Sequence, residues 1–291
     1  MLNATALVGT HDVLFVTLDT LRYDVAARLY AEGRTPNLAA VLPAGGWERR
    51  HSPGSFTFAA HAAFFAGFLP TPVTPGRHPR LFAARFPGSE TTGEGTFVFD
   101  APDIVTGFGG LGYRTVCVGG TGFFNKQTPL GCVLPGLFDE SVWSPELGVT
   151  DPRSTENQVR VAVQMVSREA QPSADSPPGA SASPGMGAAL GCASRLTFLF
   201  LNVSAIHQPN RFYLPDATAD TLDSHAAALE YVDSRLGVLF TALRQRGPWL
   251  CVICSDHGTA YGEGGYTGHR VGHPVVWDVP YAEFVLPRDR A

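Results

Sequence analysis

The amino-acid sequence predicts an α/β fold in which a mostly parallel central sheet carries helices on both faces. Short apolar runs recur at long intervals along the chain, and segments with a helical repeat of apolar residues lie between several of them. This alternation of strand-like and helix-like segments is typical of a parallel sheet that is covered on both sides. The predicted strands span residues 13–18, 115–118, 196–203, 249–254 and 282–286.

Two long segments predict helices, residues 154–166 and 217–243, because their apolar side chains recur with a helical period. A shorter helix is predicted from Pro36 to about residue 42, since a proline stands at the first helical position and Thr35 precedes it as a capping hydroxyl. Glycine and proline are plentiful in the rest of the chain, so the other connections are expected to be long loops.

The chain has 291 residues and is expected to form one domain, residues 1–291, because α/β folds with one large sheet often reach this length. No internal repeat and no second compositional regime divides it. Residues 171–194 are rich in Ser, Pro, Ala and Gly and cannot bury enough apolar surface to order themselves. We expect this stretch to be a flexible surface insertion in the single domain.

The charge, hydropathy and cysteine content of the chain indicate which partners it could bind and in which compartment it works. The formal net charge is −5, Lys126 is the only lysine, and no basic stripe indicates nucleic-acid binding. The longest apolar runs are far shorter than the ~20 residues of a membrane helix. The first residues lack the features of a secretory signal, and the five cysteines are scattered rather than arranged as a disulfide framework. These observations predict a cytoplasmic protein without nucleic-acid or membrane partners, and they leave its oligomeric state unknown.

Acidic and histidine residues follow three of the predicted strands. Asp19 follows the first strand, Asp256 and His257 follow the fourth, and His207 lies shortly after the third. The carboxyl ends of parallel strands meet at one edge of a sheet, so these side chains are expected to lie close together. Carboxylates and an imidazole are suitable ligands for a divalent cation. Any one of them alone could be a helix cap or a hydrogen-bonded loop residue, whereas together they favour a metal site.

A second functional segment begins at Thr57, where a polar loop opens into a helix rich in Ala and Phe that ends at Gly67. A hydroxyl at a helix N-terminus lies at the positive end of the helix dipole, and a cation beside it would favour its ionisation to an alkoxide nucleophile. The alternative for this segment taken alone is that Thr57 is only an N-cap.

The order and spacing of these segments resemble the alkaline-phosphatase and sulfatase superfamily, over residues 13–70 and 196–286. The resemblance implies an alkaline-phosphatase-like fold. The matching segments are Val16-Thr-Leu-Asp19-Thr-Leu-Arg-Tyr-Asp24 for the first metal-binding strand, Thr35-Pro-Asn-Leu38 for the helix start after it, residues 57–67 for the nucleophile helix, Ser255-Asp-His-Gly258 for the second metal-binding strand, and residues 261–280 for a late histidine segment.

This resemblance implies that Asp19, Asp256 and His257 bind a divalent ion, which could be Zn, Mn, Mg or Ca. Thr57 would be both a further ligand of that ion and the nucleophile. Sulfatases proper need a cysteine or serine that is converted to formylglycine, and a threonine cannot undergo this conversion. His61 stands where such enzymes have an arginine, and it could orient Thr57 or be a buried core residue.

The remaining histidines with an implied role would face the substrate or complete a second metal site. They are His207 and His273, with His269 ranked after His273 because its distance from the last strand fits the family pattern less well. Two-metal members of the superfamily carry an aspartate four residues before the equivalent of His207, where this chain has Val203, and the neighbouring Asn202 is a poor substitute. One ion is therefore favoured over two.

The resemblance and these departures from it predict a metal-dependent hydrolase of a phosphate mono- or diester, acting on a small anionic substrate through Thr57. Three alternatives remain open: hydrolysis of a sulfuric ester, transfer of the phosphoryl group to another acceptor, and a non-catalytic binding module that has kept the fold. Arg22 and Lys126 are the cations expected to come nearest to an anionic substrate, although a surface salt bridge is the favoured role for Arg22.

Overall fold

The computed structural model describes residues 2–67, 74–77, 103–168 and 195–289. The predicted insertion at residues 171–194 lies outside these described residues. The helices are α1 (Ala4–Leu7), α2 (Tyr23–Ala31), α3 (Pro36–Ala39), α4 (Thr57–Ala66), α5 (Ile104–Gly110), α6 (Ser154–Ser167), α7 (Leu222–Arg246) and α8 (Pro274–Trp277). The strands are β1 (Asp12–Leu18), β2 (Glu48–His51), β3 (Gly76–Arg77), β4 (Arg114–Val118), β5 (Glu140–Val142), β6 (Thr197–Val203), β7 (Trp249–Cys254), β8 (Ala260–Tyr261), β9 (Thr267–Gly268), β10 (Val271–Gly272) and β11 (Asp278–Leu286).

A seven-stranded sheet organises the chain, with the strand order β2-β11-β7-β1-β6-β4-β5. The five strands from β7 to β5 in this order run parallel to their neighbours. At the other side, β11 lies antiparallel to both β7 and β2. The prediction of a mostly parallel sheet is confirmed. Strand β1 lies at its centre, between β6 and β7, so the loops that follow these three strands share one edge.

The two faces of the sheet bury different kinds of side chain, because successive residues of a strand point to opposite sides. Leu14, Val16 and Leu18 of β1 belong to the larger, mainly aliphatic cluster, which is completed by α2, α6 and α7. Val13 and Phe15 belong to the second cluster, which is rich in phenylalanine and is completed by α4 and α5. Helices on both faces, as predicted, therefore cover the sheet.

Some elements differ from the prediction, and each difference has a local cause. Strands β2 and β5 lie at the two edges of the sheet and contain no apolar run, so hydropathy does not reveal them; β2 reads Glu-Arg-Arg-His. Strand β11 begins at Asp278 rather than at residue 282 because its first residues pair with β2. Helix α7 begins at Leu222 rather than at residue 217, because Thr221 and Ser224 form a capping box there. None of the described helices is both long enough and apolar enough to cross a membrane.

The cap of α3 comes from a distant residue rather than from Thr35. The Thr35 side chain makes no capping hydrogen bond, and its buried hydroxyl has no hydrogen-bond partner among the described residues. Instead, Asp233 of α7 accepts hydrogen bonds from the backbone nitrogens of Asn37, at 3.2 Å, and Leu38, at 2.7 Å. A buried carboxylate thus satisfies the positive end of α3 and fixes this helix against α7.

Replacing this carboxylate should destabilise the fold. We expect Asp233→Ala to lower the free energy of unfolding by about 2–3 kcal/mol, because it leaves two helix N–H groups without an acceptor in a buried position. Urea denaturation followed by circular dichroism measures the change. Asp289→Asn, an exposed position near the end of the described chain, is the control and should change stability by less than about 0.5 kcal/mol. Equal stability of both variants and the parent would contradict the capping role.

Candidate active site

Strands β1 and β7 bring three predicted site residues together at the carboxyl edge of the sheet. Asp19 directly follows β1, and Asp256 and His257 follow β7 one residue after its end. All three side chains are completely buried. One ligand atom from each lies within 4.8 Å of the others. The cluster forms because β1 and β7 are adjacent and parallel, so their carboxyl ends lie side by side.

The two carboxylates of this cluster are only partly satisfied by the protein. Asp256 Oδ1 accepts hydrogen bonds from the backbone nitrogens of Thr20 and His257, at 3.1 and 2.9 Å. Asp19 Oδ1 and Asp256 Oδ2 are buried and have no hydrogen-bond partner among the described residues. Burial raises the pKa of Asp19 to about 7, and the charge of Asp256 adds to this effect. Burial likewise raises the pKa of Asp256 to about 7.

His257 is oriented so that one ring nitrogen faces the carboxylates. Its Nδ1 donates to the carbonyl oxygen of Gly258 at 2.9 Å, which leaves the lone pair of Nε2 for the site. Nε2 lies 3.5 Å from Asp256 Oδ2. The turn that holds the ring requires glycine at position 258, because a Cβ there would approach the carbonyl oxygen of Val275 to 2.0 Å.

This cluster fits a divalent cation. Two unpartnered carboxylate oxygens and an imidazole lone pair lie close together in a buried cluster. Unpaired buried charges of this kind are strongly unfavourable. Oxygen and nitrogen donors in this combination suit zinc or another divalent metal.

Thr57 lies beside this cluster at the start of α4. Its Oγ1 is 3.4 Å from both Asp19 Oδ2 and His257 Nε2. The N-cap of α4 is Phe56, and no side chain there makes a capping hydrogen bond. The interpretation of Thr57 as a simple N-cap therefore does not describe its position, because its hydroxyl points to the carboxylates and the imidazole rather than to the helix backbone.

His61 connects the first turn of α4 to β1. Its Nδ1 donates to the backbone carbonyl oxygen of Thr57 at 2.7 Å, and its Nε2 accepts from Thr17 Oγ1 at 2.9 Å. Burial lowers the pKa of His61 to about 3, so the ring is neutral, as these two hydrogen bonds require. The ring packs edge-on against Phe124 and Phe200. His61 is thus a buried core residue that also fixes the backbone of Thr57.

Asn202 extends this network from β6 to Asp19. Its Nδ2 donates to Thr17 Oγ1 at 3.1 Å and to Asp19 Oδ2 at 3.3 Å, and its Oδ1 accepts from the backbone nitrogen of Thr121 at 3.0 Å. Sequence reasoning overlooked these contacts, although a polar residue inside an apolar strand, as at Thr17 and Asn202, is a usable signal of such a network.

Val203 stands where two-metal members of the superfamily carry an aspartate, and the alternation of side chains along β6 turns it away from the candidate site. Val203 faces the aliphatic cluster on the far side of the sheet, whereas Asn202 faces Asp19. The amide of Asn202 directs a hydrogen-bond donor toward Asp19, and a donor N–H group does not bind a cation. This arrangement supports a single ion.

A pocket of about 380 Å³ opens above Thr57. Its lining includes the side chains of His207, His269 and Arg270. The other lining residues are Thr57, Thr121, Gly122, Phe123, Thr128, Leu130, Gly131 and Val149. The His207 Nδ1 donates to the carbonyl oxygen of Gln208. The pocket therefore offers imidazole and guanidinium groups together with hydroxyl and apolar side chains.

The two late histidines lie in different surroundings. The ring of His269 lies 4.5 Å from that of His257 and 5.6 Å from that of His207, measured between centroids. His273 is instead the N-cap of α8, where its Nδ1 accepts a hydrogen bond from the backbone nitrogen of Val275 at 3.3 Å. The turns between β8 and β10 thus place His269, which the sequence ranks after His273, beside His257 and His207.

The cations near the substrate also differ from expectation. Arg22 is buried and forms ion pairs with Asp24 and Glu263, so its charge is already neutralised. The Lys126 ammonium bonds to Ser141 and does not line the pocket. Among the described residues, Arg270 is the arginine that lines it, and the sequence analysis did not single it out.

No family model matches the sequence, and no curated protein matches it. Solved structures match over nearly the whole chain at low identity. Lipooligosaccharide phosphoethanolamine transferase A from Neisseria meningitidis (soluble domain) has a TM-score of 0.59 and 15% identity over 96% of this chain and 78% of that one. The zinc complex of the C-terminal periplasmic domain of EptC from Escherichia coli has a TM-score of 0.57 and 12% identity over 95% and 73%.

A protein in the alkaline phosphatase superfamily from Vibrio parahaemolyticus has a TM-score of 0.51 and 14% identity, over 97% of this chain and 61% of that one. These likenesses concern the fold. The chain has the alkaline-phosphatase-like fold that its sequence motifs predicted, with the candidate cluster at the carboxyl edge of the sheet.

The prediction of a cytoplasmic protein is wrong. Three of the similar structures are C-terminal periplasmic domains, from Campylobacter jejuni and Escherichia coli, and they point to a location outside the cytoplasm. The cysteines misled the prediction because Cys117, Cys251 and Cys254 are free thiols buried in the sheet. Their role is packing, and burial raises their pKa, so they carry no information about the redox compartment.

The raised carboxylate pKa values predict how the metal-free protein responds to pH. The pKa of Asp19 and that of Asp256 rise from the ordinary value of 3.8 to about 7 on folding, so the folded chain binds more protons than the unfolded chain between these limits. Their contribution to stability is complete below about pH 4 and is lost as the pH rises through about 7. In the presence of a chelator, we therefore expect these two groups to make the melting temperature fall between about pH 4 and pH 7.

Added zinc should remove this fall, because a cation binds the deprotonated carboxylates and offsets their repulsion. Melting curves followed by circular dichroism, with chelator and with zinc, measure both cases. Asp19→Asn is the control: without metal it should melt higher than the parent at about pH 8, since one buried charge is gone. Identical pH profiles with and without zinc would contradict a cation site here.

Proposed function

We propose that this chain is a metal-dependent enzyme that takes a phosphoryl-type group from a phosphate ester onto Thr57 and passes it to an alcohol acceptor. The observation that carries this proposal is the position of Thr57 Oγ1, 3.4 Å from Asp19 Oδ2 and from His257 Nε2 at the base of an open pocket. Transfer is favoured over hydrolysis because phosphoethanolamine transferases are among the similar structures. Hydrolysis is the same chemistry with water as the acceptor.

One divalent cation, with zinc as the first candidate, would be held by Asp19, Asp256, His257 and Thr57. When bound, it supplies the positive charge that lowers the pKa of the Thr57 hydroxyl and offsets the charge of the ester oxygens. The zinc complex among the similar structures supports this choice of ion. Asn202 and His61 keep Asp19 and the backbone of Thr57 in place during the reaction.

In the first half of the reaction, deprotonated Thr57 Oγ1 attacks phosphorus in line with the leaving oxygen. The bond between Oγ1 and phosphorus forms, and the ester bond breaks. His207, as an imidazolium whose Nδ1 donates to the carbonyl oxygen of Gln208, gives the proton on Nε2 to the leaving oxygen and becomes neutral. In the second half, the acceptor hydroxyl returns a proton to His207 and its oxygen displaces Oγ1 from phosphorus, which restores the starting state.

The proposal also covers the domain organisation and the cellular location of the chain. We propose that residues 1–291 form one catalytic domain and that the chain works outside the cytoplasm, as the periplasmic domains among its structural neighbours do. A sulfuric ester remains the less favoured substrate, because the nucleophile position holds Thr57 rather than a residue that can become formylglycine.

Removing the nucleophile should abolish turnover without unfolding the protein. We expect Thr57→Ala to lower kcat by at least about a thousandfold on p-nitrophenyl phosphate or bis-p-nitrophenyl phosphate, because the attacking oxygen is gone. Its melting temperature should stay close to that of the parent, since Thr57 makes no capping hydrogen bond. Thr57→Ser keeps a hydroxyl at this position and should retain measurable activity.

Mass spectrometry of the quenched reaction provides a second measurement. The parent and Thr57→Ser should carry an added mass that matches the transferred group on the peptide containing residue 57, and Thr57→Ala should not. An alanine variant that turns over near the parent rate would show that Thr57 is not the nucleophile and would leave Ser55 or a water molecule to take its place.

The number of ions is a separate expectation. The zinc-loaded protein should contain one zinc ion per chain by plasma mass spectrometry after dialysis, because Asn202 directs a donor toward Asp19 where a second carboxylate would be needed. Asp256→Asn should lose this ion, whereas Asp24→Asn, a carboxylate engaged by Arg22 outside the cluster, should retain it. Two tightly held ions per chain would contradict the single site.

A further inference from the structure

Arg270 is held at the mouth of the pocket by its backbone. It lies between β9 and β10 and lines the pocket together with Thr57, His207 and His269. Its backbone nitrogen donates to the carbonyl oxygen of Ser55 at 2.8 Å, so the loop is fixed to the segment that leads into α4. This bond sets the position of the Arg270 Cα relative to the Thr57 hydroxyl.

The backbone of Arg270 is also strained. Its φ is 70°, in the left-handed region that side chains with a Cβ rarely adopt. The flanking positions 268 and 272 are glycines, and glycine would adopt this conformation at position 270 without strain. Residues that persist in such conformations are concentrated at functional sites, where the side chain matters more than local stability.

The guanidinium of Arg270 has no carboxylate to neutralise it within the described part of the chain. Other arginines with a structural role are paired there: Arg22 with Asp24 and Glu263, Arg114 with Glu140, and Arg246 with Asp12. The side chain of Arg270 is exposed and stands over the ring of Phe56, with Cζ 5.8 Å from the ring centroid. The aromatic face supports the cation while its N–H groups stay available.

The guanidinium of Arg270 shares one pocket with the Thr57 hydroxyl and the imidazole of His207. A guanidinium at this place therefore adds positive potential to the region that would receive a phosphate. Its planar fork can donate two parallel hydrogen bonds to two oxygens of one phosphate, which a lysine cannot do.

We propose that Arg270 is the residue that binds the nonbridging oxygens of the phosphate group and thereby determines the charge of the substrate that this site prefers. The inference rests on the proposed function, since it assigns the anion-binding role within the same site. It predicts that Arg270 favours substrates with more negative charge, because the attraction between charges grows with the charge of each partner. A phosphate monoester carries more negative charge at neutral pH than a diester.

The test measures binding of inorganic phosphate to the zinc-loaded protein by isothermal titration calorimetry. Arg270→Gln should weaken binding about tenfold or more, because it removes the charge and the fork. Arg270→Lys keeps the charge without the fork, and its affinity for phosphate should lie between those of the parent and Arg270→Gln. Arg49→Gln removes an exposed arginine that pairs weakly with Asp278 outside the pocket, and it should bind as the parent does.

A fourth variant separates binding from a structural role. Arg270→Gly relieves the left-handed backbone, so its melting temperature should equal or exceed that of the parent while phosphate binding is lost. A structural role for the side chain would instead lower the melting temperature. In kinetics, Arg270→Gln should reduce kcat/KM for p-nitrophenyl phosphate more than for bis-p-nitrophenyl phosphate.

The outcomes separate this inference from the proposed function. If Arg270→Gln binds phosphate as tightly as the parent, or if the parent does not bind phosphate at all, the role of Arg270 is wrong, whatever Thr57→Ala does. If phosphate binding depends on Arg270 but Thr57→Ala keeps its turnover, the anion-binding role stands and the nucleophile assignment fails. An equal loss of kcat/KM on both esters would overturn the charge preference.

Discussion

The burial of two carboxylates at the ends of adjacent strands is the constraint on which this structure depends. Strands β1 and β7 are parallel neighbours, so Asp19 and Asp256 meet at the carboxyl edge with their side chains completely buried. Removing such groups from water is strongly unfavourable unless a proton, a hydrogen bond or a cation replaces the water. One oxygen of each is left without any partner among the described residues. The cluster is therefore unfavourable as a structural element and reasonable as a cation site.

The rest of the site follows from the different use of the two sheet faces. The aliphatic face is filled by α2, α6 and α7 and only stabilises the fold. The aromatic face is covered by α4 and also contains three polar side chains, Thr17, His61 and Asn202. Hydrogen bonds satisfy both ring nitrogens of His61 and the amide of Asn202. Because an incompletely satisfied buried network is destabilising, this complete network can hold α4 in place without lowering stability.

Sequence reasoning located side chains correctly where their position follows from the ends of buried strands, and it failed where their position depends on loop conformation. Asp19, Asp256 and His257 could be predicted to meet because apolar runs locate strands and parallel strands end together. The positions of His269 and Arg270 could not be predicted, since they depend on the turns between β8 and β10, which involve left-handed backbone at Gly268 and Arg270. The Asp233 cap and strand β2 were missed because they depend on tertiary contacts and edge pairing rather than on local pattern.

Two residues next to the candidate site residues have a left-handed backbone conformation. Thr20, directly after Asp19, has a φ of 63°, and Arg270, directly after His269, has a φ of 70°. Each such residue destabilises the fold by about 1–3 kcal/mol. At Thr20 the strained turn directs the backbone nitrogen to Asp256 Oδ1, so the exit of one strand holds the carboxylate of the other. The backbone thus holds a carboxylate of the candidate cation site in place by itself, and a cation that bound to such a prearranged set would lose less free energy to reorganisation than one that must assemble its ligands.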